Sequence, residues 1–155
     1  MPPGPRLSLL FEWFAADQRI RTLVERAMAD VALRPDEYAV YSVLFDEGSK
    51  TPTDLARRAG MPPTTMSHYV RAMLQRGHAV RETVPTDRRS YRLRLTSEGL
   101  AAHAAASRAF REAHDRFIDA LEIDQDEARI TLRAVAAAAA VAGSKLNADS
   151  MEAAG

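Results

Sequence analysis

The side chains best suited to chemistry are four histidines and a run of hydroxyl, amide and guanidinium groups: Thr64, Thr65, Ser67, His68, Arg71 and Gln75, then Arg88 and Arg89. Catalysis fits them poorly. Ser67 and His68 are adjacent, so on a helix their side chains diverge by roughly 100°, which is wrong for proton transfer. His103 and His114 stand eleven residues apart. That is roughly 16 Å along a helix, too far to share a metal ion. The sequence has no cysteine, which excludes disulfides, thiolate metal sites and thiol-based sensing. It also lacks a glycine-rich phosphate loop. The expectation is a protein that is not an enzyme and needs neither metal nor cofactor. What the polar run can do is hydrogen-bond to base edges and phosphates.

The elements that must position these groups are marked by their own punctuation. Thr51 is a good N-cap and Pro52 suits a first helical position, so a short helix is predicted over 51–59. Gly60 ends it, and Gly60-Met61-Pro62 turns into a second helix from Pro63 to Arg76, stopped by Gly77. Met66, Val70, Met73 and Leu74 recur at helical spacing and point inward. The candidate contact residues of this second helix lie elsewhere on its wheel. Two β-like runs follow, 79–84 and 90–96. The second alternates Tyr91, Leu93 and Leu95 against Arg92 and Arg94, the pattern of a half-buried strand. Residues 85–89 form a basic, turn-rich tip between them. Helix, turn, helix and a two-stranded wing make a winged helix-turn-helix, whose second helix enters a DNA major groove.

Charge supports this assignment. The 155-residue chain is formally neutral, yet residues 50–99 hold ten Lys/Arg against four Asp/Glu, a net +6. The rest holds eleven basic and seventeen acidic side chains, a net −6. The basic part coincides with the motif, as a polyphosphate partner requires.

Around the motif the chain reads as helical. A long amphipathic helix is predicted over 7–33, with Phe11, Trp13 and Phe14 crowding its first turns. Pro35 breaks it. A second helix over 36–47, stopped by Gly48, carries a buried stripe of Tyr38, Tyr41, Leu44 and Phe45. After Gly99 a helix N-capped by Ser97 runs to Leu121, and a last, Ala-rich one covers 126–142 with Gly143 as its cap. Residues 1–6 and 144–155 are expected to be disordered tails. Residues 7–14 are interrupted by Glu12 and do not make a signal peptide. No apolar run approaches the roughly 20 residues of a bilayer span, so no membrane partner and a cytoplasmic location are expected.

The sequence resembles the MarR family of bacterial transcription regulators over essentially its whole length. The resemblance is most specific at Asp87-Arg88-Arg89 followed by Leu93 to Gly99 (LRLTSEG). It extends to Thr65-Met66-Ser67 and to the Gly77…Arg81 step into the wing. His78-Ala79, where the family prefers larger apolar residues, and Pro62-Pro63 depart from it. The resemblance implies a mostly α, α+β fold. A winged helix-turn-helix DNA-binding region over 36–96 would join a helical dimerisation region built from 7–34 and 97–143. Ser49-Lys50 would add a short strand to the wing.

By the same resemblance, a homodimer presents two recognition helices to a near-palindromic operator in double-stranded DNA. Thr64, Thr65, Ser67, His68, Arg71 and Gln75 contact the major groove. Arg89 enters the minor groove, Arg88 supplements it, and Asp87 holds the wing turn by a salt bridge. The family commonly releases DNA when a small aromatic effector enters a cleft, for which Trp13, Tyr38, Tyr41 and His114 are the candidate contacts. The function expected is a sequence-specific, ligand-released repressor. The alternative is a winged-helix protein-interaction module that does not bind DNA.

Overall fold

The computed structural model describes residues 8–84 and 87–152, with side chains throughout except at 84, 87–89 and 150–152. The chain divides into two compact units, residues 1–114 and 115–155. The first contains α1 (Leu9–Ala27), α2 (Pro35–Glu47), α3 (Pro52–Ala59), α4 (Pro63–Gln75), β1 (Ala79–Val84), β2 (Asp87–Leu95) and most of α5 (Ser97–Asp119). The second contains the end of α5 and α6 (Gln125–Glu152).

Local chemistry sets most boundaries. Ser8 caps α1, its hydroxyl accepting from the Phe11 amide at 3.3 Å. The Thr51 hydroxyl accepts from the Asp54 amide at 3.1 Å to start α3. Gly60 and Gly77 take φ of 65° and 68°, the left-handed conformation that ends α3 and follows the last turn of α4. The core of the first unit gathers Leu33, Val40, Tyr41, Leu44, Leu55, Met66, Val70, Met73, Leu93 and Leu95, all buried. It therefore lies directly beneath α3, α4 and the wing, and holds them as one body.

Several boundaries differ from the sequence expectation. The first helix stops at Ala27 rather than Leu33. The chain then turns through residues 28–33, which lets Met28 and Leu33 drop into the core at 3% and 1% exposure. Pro35 starts α2 instead of merely ending α1, because Arg34 before it is extended and the proline occupies the first helical position. Phe45 leaves the predicted stripe: it is 55% exposed, and Glu37 and Val40 are buried instead. Thr96, not Ser97, caps α5, its hydroxyl accepting from the Gly99 amide at 3.2 Å. Asp124 caps α6 through the amides of Asp126 and Glu127. That helix passes through Gly143 to Glu152, so residues 144–152 form its last turns where a tail was expected.

The wing is an antiparallel pair in which Ala79 opposes Leu95, Arg81 opposes Leu93 and Thr83 opposes Tyr91. The register then jumps so that Val84 opposes Asp87, an irregularity at the tip. Lys50 joins the sheet edge as expected. Its amide donates to the Leu93 carbonyl at 3.2 Å, and its carbonyl accepts from the Leu93 amide at 2.8 Å. No described helix is long and apolar enough to cross a membrane.

Candidate nucleic-acid interface

Helix α4 buries Met66, Val70 and Met73 and turns its other sides outward. Thr64, Thr65, Ser67, His68, Arg71 and Gln75 are all exposed, as the periodicity predicts. The Ser67 hydroxyl donates to the Pro63 carbonyl at 2.9 Å, which satisfies its proton and leaves its lone pairs outward. The His68 ring sits edge-on to Tyr69, with centroids 6.0 Å apart. The backbone of Asp87, Arg88 and Arg89 lies in β2. Their side chains, and the salt bridge expected of Asp87, lie outside the described residues.

Helix α4 is anchored to α2 at two points. Near its middle, the Tyr69 hydroxyl donates to Asp36 on α2 at 3.4 Å. Burial raises the pKa of this phenol, and the Asp36 carboxylate raises it further. At the C-terminus Arg76 donates to Glu37 at 2.8 Å, and the other Glu37 oxygen accepts from the Arg34 amide at 3.0 Å. Partial burial opposes the charge on Arg76, but the bond and charge of Glu37 together with Tyr41 outweigh it and raise its pKa. Beyond the helix, His78 Nδ1 shares a 2.9 Å hydrogen bond with the Tyr41 hydroxyl, whose pKa burial raises. Thr96 closes the corner: its hydroxyl donates to the Gly77 carbonyl at 2.7 Å and its amide to the His78 carbonyl at 3.0 Å. Sequence reasoning missed Glu37 and Arg76. Nothing local in the sequence marks Glu37 as buried.

A second cationic surface borders α3. Lys50, Arg57, Arg58 and Arg92 surround a groove of about 460 Å³ together with Glu47 and Asp54. The carboxylates are held charged: Arg58 draws the Glu47 pKa down, and the Thr51 hydroxyl and then Arg57 do so for Asp54. This surface therefore combines four cations with two anions, and its net charge is modest beside the count of its arginines.

The four candidate effector contacts differ in their surroundings. Tyr41 is 1% exposed with its hydroxyl on His78, so it is an anchor with no face for a ligand. The Tyr38 hydroxyl bonds Ser107 Oγ at 3.1 Å, and its ring stacks on His103 at 5.2 Å. Trp13 is 43% exposed on α1. His114 is exposed, and its ring lies 6.4 Å from Phe110. Among the described residues no cluster of His, Asp or Glu could hold a metal ion.

Comparison with known proteins bears on this arrangement. Residues 41–90 match the sequence model of the MarR family. No curated protein matches the chain. Among solved structures, it is similar to the transcriptional repressor CouR bound to a 23-mer DNA duplex. The two are 26% identical over 86% of this chain and 92% of that one, with a TM-score of 0.69. The M. tuberculosis regulator MosR, in complex with DNA, is 20% identical over 88% and 98% of the two chains, with a TM-score of 0.76. NadR in complex with 4-hydroxyphenylacetate is 20% identical over 90% and 98%, with a TM-score of 0.71. All three share the mostly helical fold with its small two-stranded wing. The wing and recognition helix thus match the MarR family model, and the chain shares its fold with solved transcriptional regulators that include CouR.

Proposed function

We propose that the protein is a cytoplasmic, homodimeric repressor that reads a near-palindromic operator and releases it when a small aromatic ligand binds. One observation carries the DNA-binding part. The outward side of α4 presents only hydrogen-bonding side chains at 64, 65, 67, 68, 71 and 75, on a helix pinned at Tyr69, Arg76 and Gly77. A helix held in place in this way can present its polar side to a major groove without first having to be positioned. Likeness to CouR on duplex DNA supports the same reading.

Arg71 is assigned to a guanine, worth roughly 1–3 kcal/mol of discrimination. Arg89 is assigned to the minor groove, Arg88 to a neighbouring phosphate, and Asp87 to holding the wing turn. Exposed Leu9, Leu10, Phe11, Trp13 and Phe14 on α1, and Ile130, Val141 and Leu146 on α6, supply apolar surface for a partner protomer. NadR in complex with 4-hydroxyphenylacetate supports an aromatic effector, for which Tyr38 and Trp13 remain the candidate contacts.

The test is selection of bound sequences from a random duplex pool, followed by titration of the winning site against salt. Enrichment of an inverted repeat is expected. With about four phosphates neutralised per protomer, the slope of log K against log salt should be about −7. Replacing Arg71 and Arg89 by alanine should abolish enrichment. Unchanged activity in that double variant would favour a protein-docking module instead.

A further inference from the structure

Arg81 lies on the same face of β1 as the buried Ala79, yet its own side chain is exposed. Ala79 opposes Leu95 and Arg81 opposes Leu93 in the ladder, and Ala79, Leu93 and Leu95 are all buried. Side chains alternate across a strand, so Arg81 shares the helix-facing side with them, while Val80 points away and is 38% exposed.

The Arg81 guanidinium has a specific seat. Its central carbon lies 4.5 Å from the centroid of the Tyr91 ring, the diagonal neighbour on β2, and that ring is itself packed against the core. Facing this stacked pair is the α4 stripe Ser67, Arg71 and Gln75, spaced four residues apart. The two walls enclose a groove of about 360 Å³, floored in part by Val70. Two arginines and no carboxylate line it, in contrast to the mixed surface beside α3.

We infer that this groove between recognition helix and wing is a seat for one phosphodiester of the DNA backbone, with Arg81, laid flat on Tyr91, as its principal ligand. The inference rests on the DNA-binding reading and adds a contact to it. Stacking occupies the face of a guanidinium and leaves its N–H groups in the plane, where they can fork onto phosphate oxygens. The ring also fixes the side chain beforehand, so less rotamer freedom is lost when the anion arrives. An anion suits the groove better than a neutral base edge, because the two cations lining it have no carboxylate among them.

The test uses the full-length protein, the selected operator and an unrelated duplex of equal length, each titrated against salt. Arg81→Ala should weaken both duplexes by the same factor. Its slope should be shallower by about 1.8 for the two copies in a dimer, the effect of one phosphate contact each. Arg81→Lys should keep the wild-type slope, because the charge remains. Tyr91→Phe should match the wild type, whereas Tyr91→Leu should weaken both duplexes without changing the number of charges. If Arg81→Ala folds and leaves the slope unchanged, the seat is refuted while the DNA-binding reading stands. If it loses affinity only for the operator, Arg81 reads a base and the inference is equally wrong. If the wild type binds neither duplex, the DNA-binding reading itself has failed.

Discussion

The ion pair that holds the end of the recognition helix is lopsided, and its lopsidedness makes a rank-order prediction. The Glu37 side chain is 8% exposed, but that of Arg76 is 43% exposed. Glu37→Gln keeps an oxygen for the Arg34 amide and replaces a charge-assisted bond by a neutral one. The stranded guanidinium can turn to water. The cost is the difference between the two kinds of bond, about 1 kcal/mol. Arg76→Met instead strands a buried carboxylate oxygen that water does not reach. The loss should then be about 2–3 kcal/mol, below the 3–5 of a fully buried pair because Arg76 was already partly hydrated. The double variant should lose less than the two singles together, with a coupling of about 1 kcal/mol. Urea unfolding at neutral pH measures all four proteins, and a common m-value shows that only stability has changed. If Glu37→Gln proves as damaging as Arg76→Met, or the two losses simply add, burial of Glu37 is not what gives the pair its worth.

Other perturbations have equally direct outcomes. A Cβ on Gly99 would stand 2.0 Å from the His78 carbonyl oxygen, so Gly99→Ala should cost roughly 3 kcal/mol or more and show as a fall in Tm. Thr51→Ala removes the cap of α3 and should cost about 1 kcal/mol, with Thr51→Ser restoring most of it. Burial lowers the pKa of the His103 imidazole, with Asp46 opposing the shift. The unfolded chain therefore takes up the proton first as pH falls. The stabilisation from neutral His103 is whole above about pH 6.5 and declines below it, down to the lowered folded-state pKa. Urea midpoints between pH 5 and 8 should fall towards acid, and more weakly in His103→Phe.

The motif was legible because its boundaries are written in residues with narrow backbone choices. Thr51, Pro52, Gly60 and Gly77 each stand where a cap, a first turn or a positive φ requires them. Lys50 found its place in the sheet as the family pattern implies. Where the chain lacks such residues, tertiary contacts decided and periodicity misled. Between Ala27 and Arg34 no glycine or proline announces the end of α1, and the gain from burying Met28 and Leu33 shapes the turn. Alanines up to Ala142 carry α6 through Gly143, because an isolated glycine costs only about 1 kcal/mol inside a helix. Phe45 sits on a helical stripe yet lies outside the core, stacked at 4.4 Å on His103. Glu37 was the hardest to see, since it is a charged residue at an inward position, and only the fold shows which way a position faces.

The corner at Gly77, His78, Thr96 and Gly99 has a mechanical meaning. Two hydrogen bonds donated by Thr96, one it accepts, and a glycine close against a carbonyl tie the exit of α4 to the first turn of α5. The two helices can change direction there only together. A tilt imposed on the beginning of α5 is delivered to the end of α4 undiminished, and compliance must be sought farther along the long helix.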